Sequence, residues 1–195
     1  MSAQGKMVVI SGPSGAGKST ICRLILKDER VEFSISVTTR KMREGEKDGR
    51  DYYFLNPEEF SSRIATGAFI EHAHVHGNMY GTLRKPMDDA LKAGRIYLLE
   101  IDVQGALQMK AQDIPGLYIF ISPPSFDELR KRLVGRASET PEVLERRLQK
   151  AEDEYRERIR YDHIIVNDDL EQCVAEVKKL IGLDTVAGKE SRTNS

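Results

Sequence analysis

The residues with the clearest chemical purpose lie near the N-terminus. Gly12-Pro13-Ser14-Gly15-Ala16-Gly17-Lys18-Ser19, followed by Thr20, fits the pattern G-x-x-x-x-G-K-[ST] in full. That spacing lets successive backbone N–H groups turn inward around a phosphate, and the glycines allow the dihedrals and the close approach this needs. A helix opening near Ser19 would point its positive N-terminus at the same anion. Lys18 would reach the terminal phosphates, and the Ser19 hydroxyl suits Mg²⁺. Residues 12–20 are therefore expected to hold the triphosphate of ATP with its Mg²⁺. The bland alternative is a glycine-rich turn that fits the pattern by chance.

The flanking elements argue against chance. Met7–Ile10 is a short apolar, β-branched run, and Ile21, Leu24 and Ile25 show helical spacing within Ser19–Lys27. Strand, tight loop and helix thus follow in the order the motif demands. Ile96–Ile101, Leu117–Ile121 and His163–Val166 read as further buried strands. Near-continuous apolar strands separated by helices predict a parallel sheet covered on both faces. Helix ends are also readable. Asn56-Pro57-Glu58-Glu59 offers a cap, a proline and a returning acid, with Gly67 to close the helix. Ser125 and Glu128 have capping-box spacing, Thr140-Pro141 opens a helix with Leu144 and Leu148 on one face, and Asp169 precedes a last helix ending near Gly182.

A chain of 195 residues can build one α/β domain and one or two small insertions. Thirty Lys plus Arg against 31 Asp plus Glu give no reason to expect a nucleic-acid or membrane partner. No apolar run approaches the ~20 residues of a membrane span. Cys22 and Cys173 lack metal-ligand spacing and read as small buried residues in a reducing, cytoplasmic setting. Two stretches interrupt the α/β alternation: Ser34 to about Gly81, with short strands and aromatics, and Ser125–Tyr161, helical and rich in arginine. The expected division is a core at 1–33, 83–124 and 162–183, an insertion at 34–82, a helical lid at 125–161 and a disordered tail at 184–195.

Several ordered motifs narrow the function. Phe33–Glu46, Gly49–Phe54, Phe69-Ile-Glu71, Gly77–Thr82, Asp102-Val-Gln-Gly105 and Ile165–Asp169 resemble segments of guanylate kinases, from about residue 6 to 182. The resemblance implies a P-loop three-layer α/β fold with a parallel central sheet, an inserted mixed α/β GMP-binding domain and a helical lid. It implies an enzyme of purine nucleotide metabolism that transfers the ATP γ-phosphoryl to GMP, with dGMP as a second acceptor. By the same resemblance Arg40, Arg43, Tyr52 and Tyr80 take the acceptor phosphate, and Ser36, Glu71, Gly81 and Thr82 surround guanine. Asp102 lies near the base and the reaction centre, and Asn167 near adenine. Arg132, Arg136 and Arg147 match lid arginines.

These residue types suit those tasks. Paired guanidinium forks grip a phosphate. A carboxylate suits the N1–H and 2-amino donors of guanine. Lid arginines can stabilise the charge that spreads over equatorial oxygens during transfer. From the residues alone, either Arg146 or Arg147 could face inward. Glu152, Glu154 and Glu157 read as surface ion pairs of the lid. The family more often has serine at Thr82, which keeps the hydroxyl, and aspartate at Glu100, which leaves a metal role for the longer Glu100 open. His72, His74 and His76 alternate along a strand and read as a surface cluster rather than a zinc site. A phosphopeptide-binding module on the same fold is the competing class, but such modules typically have a degraded phosphate loop. A kinase for another nucleoside monophosphate is the other alternative. The sequence carries no sign of oligomeric state.

Overall fold

The computed structural model describes residues 5–75, 77–134 and 141–184. Its centre is a five-stranded parallel sheet in the order β2-β7-β1-β8-β9, built from Val31–Phe33, Ile96–Glu100, Lys6–Ser11, Leu117–Ser122 and His163–Val166. Side chains alternate across a strand, and β1 shows the consequence. Val8 and Ile10 pack on one face with Ile21, Cys22 and Ile25 of α1 (Lys18–Ile25) and with Cys173, Val174 and Val177 of α7 (Leu170–Leu180). Met7 and Val9 face the other way, onto Met87 and Ala90 of α3 (Arg84–Lys92) and Val103, Ala106 and Met109 of α4 (Val103–Ala111). Helix, sheet and helix make the three expected layers.

A second sheet of four strands, β4-β3-β6-β5, comes from Tyr53–Phe54, Val37–Thr38, Asn78–Leu83 and Phe69–Val75. With α2 (Pro57–Ala65) it encloses a small core of Val37, Phe60 and Phe69. Helices α5 (Phe126–Val134) and α6 (Pro141–Arg156) join through Leu129, Leu133, Leu144, Leu148 and Ala151. A short 3₁₀ turn, Glu157–Arg160, leads from α6 to β9.

The caps expected at Asn56, Ser125 and Asp169 form, while Thr140 lies outside the described residues. Asn56 accepts from the Glu59 backbone while the Glu59 side chain returns to the Asn56 N–H. Ser125 accepts from Glu128 N at 3.1 Å, and Asp169 accepts from Gln172 N at 2.8 Å. Both cysteines are buried and free.

Two expectations need correction. The sheet has a fifth strand, β2, whose three residues are too few for a periodic signal. His163–Val166 is a strand but not a buried one: it forms the sheet edge, and only Ile165 is buried. An edge strand has a neighbour on one side only, so Ile164 and Val166 keep access to solvent. Residues 185–195, most of the expected disordered tail, lie outside the described residues, as do Arg136 and His76.

Candidate active site

The phosphate loop joins β1 to α1. Helix α1 starts on Gly17 with no side-chain cap and no acid in its first turn, so no side chain competes with an anion for its N-terminus. Gly17 has φ +96°, and a Cβ there would stand 2.3 Å from Asn167 Nδ2. Only glycine fits, because Asn167 donates to Ala16 O at 2.7 Å and clamps the loop from behind. Lys18 folds back over the loop, its ammonium on the carbonyls of Gly12 (2.6 Å) and Pro13 (3.0 Å). Burial lowers its pKa. Ser19 Oγ donates to Glu100 Oε1 at 2.5 Å, at the end of β7.

One cavity of about 410 Å³, in the size range of small-molecule sites, is lined by residues of both sheets and of α6. Gly12, Ser14, Gly15, Gly17, Lys18, Ser19 and Thr20 form one side, and Ser36, Tyr52, Glu71, Tyr80 and Gly81 another; Glu100 and Asp102 contribute from the end of β7. Pro13 and Ala16 belong to the loop, but their side chains are not in the wall.

Glu71 reaches the cavity through a fault in its strand. The β5–β6 register shifts between Phe69 and Glu71, a bulge that breaks strict alternation. Phe69 therefore stacks on Phe60 in the small core, while Glu71, Ala73 and Val75 line the cavity. Thr82 is fully buried behind Glu71 and donates to its Oε1 at 2.6 Å. It thus aims the carboxylate and does not line the wall. Glu71 Oε2 lies against Gly105, where a Cβ would stand 2.7 Å away. Asp102 caps α4 at that point by accepting from Gly105 N at 2.8 Å. Burial pushes the Glu71 pKa up to about 7.

The other predicted residues are less tightly gathered. Arg40 pairs with Glu46 through two bonds of 2.8 and 3.1 Å and lies 5.4 Å from the Tyr52 ring centre. Arg43 is exposed. Neither lines the cavity, although Tyr52 and Tyr80 beside them do. Arg132 bonds Glu128 and donates to Asn167 O at 3.3 Å. Arg147 Nη2 donates to Ser14 Oγ at 3.2 Å, so this arginine of the adjacent pair faces the phosphate loop.

A guanylate kinase family model matches residues 4–183. The chain belongs to the guanylate kinase family. The guanylate kinase of Syntrophotalea carbinolica is 49% identical over 182 residues, 93% of this chain and 87% of that protein. That of Clostridium acetobutylicum is 45% identical over 181 residues, 93% and 87% of the two chains. The crystal structure of guanylate kinase from Anaplasma phagocytophilum is 38% identical, with a TM-score of 0.76 over 93% of this chain and 86% of that one.

Within this guanylate kinase, one expectation for α6 is overturned. Glu154 is not a surface residue: its side chain is 15% exposed, and with Lys150 it lines the cavity. Glu152 and Glu157 do form exposed pairs, with Arg156 and Arg160. The missed signal was helical spacing, since Lys150 and Glu154 stand three and seven residues after Arg147. His72 and His74 lie on the face of β5 turned away from the cavity, and among the described residues no group of three His, Cys, Asp or Glu could hold a metal ion. Among the described residues no helix is long and apolar enough to cross a membrane.

Proposed function

We propose that the protein transfers the γ-phosphoryl group of ATP to GMP, giving ADP and GDP, with dGMP as a second acceptor. The observation that carries this reading is the single cavity shared by the phosphate loop and the Glu71 carboxylate. Lys18 and the open N-terminus of α1 take the β- and γ-phosphates. Ser36, Glu71 and Gly81 surround guanine, with Thr82 behind the carboxylate and Asp102 beside it. Glu71 in its ionised form accepts from N1–H and the 2-amino group. Arg40, Arg43, Tyr52 and Tyr80 hold the acceptor phosphate, which requires Arg40 to exchange Glu46 for the ligand.

Ser19 Oγ and the Glu100 carboxylate are adjacent hard oxygen donors of the kind Mg²⁺ takes together with water and phosphate oxygens. When bound there, Mg²⁺ would supply positive charge to the β- and γ-oxygens. A GMP phosphate oxygen attacks the γ-phosphorus in line. One P–O bond forms as the bond to the β-phosphate oxygen breaks, and no side-chain nucleophile is needed. Lys18, Arg132, Arg136 and Arg147 stabilise the equatorial oxygens, and Asn167 braces the loop near adenine. Two buried free thiols suit a reducing cytoplasm.

A coupled assay of ADP release with AMP, CMP, UMP, GMP and dGMP tests the proposal. GMP should give the highest kcat/KM, by at least the ~10²-fold that unpaired buried polar groups impose on wrong substrates. Equal or better turnover with AMP would overturn it.

A further inference from the structure

Helix α6 turns polar side chains toward the cavity along one stripe. Arg147 touches Ser14 of the phosphate loop, and Lys150 and Glu154 line the cavity together with Lys18, Ser19 and Asp102. Residues spaced by three, four and seven share a helix face. The neighbouring face, Leu144, Leu148 and Ala151, is committed to packing on α5, which fixes how the polar stripe is turned.

The Lys150–Glu154 pair differs from the others on this helix. Arg156 and Glu152 are 66% and 48% exposed, as expected of a solvated i,i+4 pair. Glu154 is 15% exposed, with its carboxylate 3.6 Å from Lys150 Nζ, while Lys150 is 44% exposed. Burial raises the Glu154 pKa, with Lys150 and Lys18 pulling it back down. An enclosed carboxylate beside a polyphosphate site is repulsive on its own, so its use must lie in what it holds. Lysine has a flexible four-carbon stem and loses considerable rotamer freedom when it is fixed. A carboxylate one turn away confines the ammonium to the cavity side.

We propose that Lys150 is a further phosphate-contacting residue of the transfer site and that Glu154 is the positioning residue holding its ammonium over the cavity. This rests on the kinase reading above. The lid then delivers a guanidinium and an ammonium one turn apart onto the same phosphate chain.

The test uses the full chain with Lys150→Met, Lys150→Arg, Glu154→Gln and the double variant Lys150→Met/Glu154→Gln. Steady-state kinetics give kcat and KM. Calorimetry gives Kd for GMP alone and for a bisubstrate analogue joining adenosine and guanosine through a phosphate chain. Lys150→Met should lower kcat by roughly 10- to 100-fold, the scale of losing one preorganised charge, and weaken the analogue by about tenfold. GMP alone should bind within about twofold of wild type, and Lys150→Arg should restore most of the loss. Glu154→Gln should lose less, and the double variant no more than Lys150→Met, since the two residues act as one unit. Wild-type kcat and analogue affinity in Lys150→Met would overturn the proposal, as would tighter analogue binding by Glu154→Gln, the mark of plain repulsion. A parallel loss of GMP affinity would mean a lid-folding defect and would also count against it. Failure of the wild-type protein to phosphorylate GMP would instead sink the kinase reading, which the analogue titrations register separately.

Discussion

Burial and the proposed recognition of guanine pull the Glu71 proton in opposite directions. The carboxyl titrates at about 7 against an ordinary 4.5, because burial outweighs the Thr82 hydrogen bond, and Asp102 pushes it the same way. Guanine offers two donors, so under the proposed function GMP should select the ionised form and its binding should release a proton near neutrality. GMP affinity should rise about tenfold from pH 6 to pH 8, following the ionised fraction. The titration of the GMP phosphate itself is removed by subtracting the profile of Glu71→Gln. A difference profile that is flat over this range would refute the coupling. Stability should move oppositely. The folded pKa lies above the unfolded one, so the contribution of the protonated carboxyl is full below pH 4.5 and is lost as pH rises through 7, amounting to about 3 kcal/mol. Glu71→Gln should therefore raise the Tm of the free protein at pH 8 while lowering kcat/KM for GMP by roughly tenfold to more than a hundredfold. A Tm that falls at pH 8 would mean the carboxylate supports the fold rather than burdening it.

The signals legible in the sequence at the level of elements are the local ones. Strand, loop and helix around residues 7–25, and the caps at Asn56, Ser125 and Asp169, depend on neighbours a few positions away, and all of them form. What escaped depends on distant partners. The bulge that separates Phe69 from Glu71 exists because one strand serves two cores, and Phe69-Ile-Glu71 carries no mark of it. The exposure of β9 follows from its place in the sheet order, and the inward turn of Glu154 follows from which face of α6 meets α5. Gly105 is a similar case, since its need for no side chain comes from Glu71 of another element. Gly105→Ala should favour the isolated helix by up to about 1 kcal/mol. In the fold, the new methyl stands 2.7 Å from Glu71 Oε2, and the carboxylate must shift. KM for GMP should rise about tenfold or more, the scale of leaving a buried polar group unpaired, with ATP affinity unchanged. An unchanged KM for GMP would show that Glu71 is not braced by α4.

Across the whole molecule, the two sides of the cavity are unequally assembled. The α5–α6 pair already touches the phosphate loop through Arg147 and Ser14, and Arg132 joins it to Asn167. On the acceptor side Arg40 is engaged with Glu46 and Arg43 is exposed, both off the cavity wall. Phosphoryl transfer needs all these cations around one group, and water must be excluded while the charge moves. The larger closing motion should therefore belong to the small sheet and its 39–52 loop, and it should follow GMP rather than ATP. Such motions usually take microseconds to milliseconds and can limit turnover. Small-angle scattering with limited proteolysis should show a smaller radius of gyration and slower cleavage of the 39–52 loop with GMP alone. A non-hydrolysable ATP analogue alone should change the radius of gyration little. The adenosine–guanosine bisubstrate analogue should give the most compact state and protect the α5–α6 segment as well. Greater compaction by the ATP analogue than by GMP would reverse the assignment of the moving part. Identical scattering and cleavage in every state would mean that Arg40 and Arg43 reach the acceptor phosphate by side-chain rotation alone.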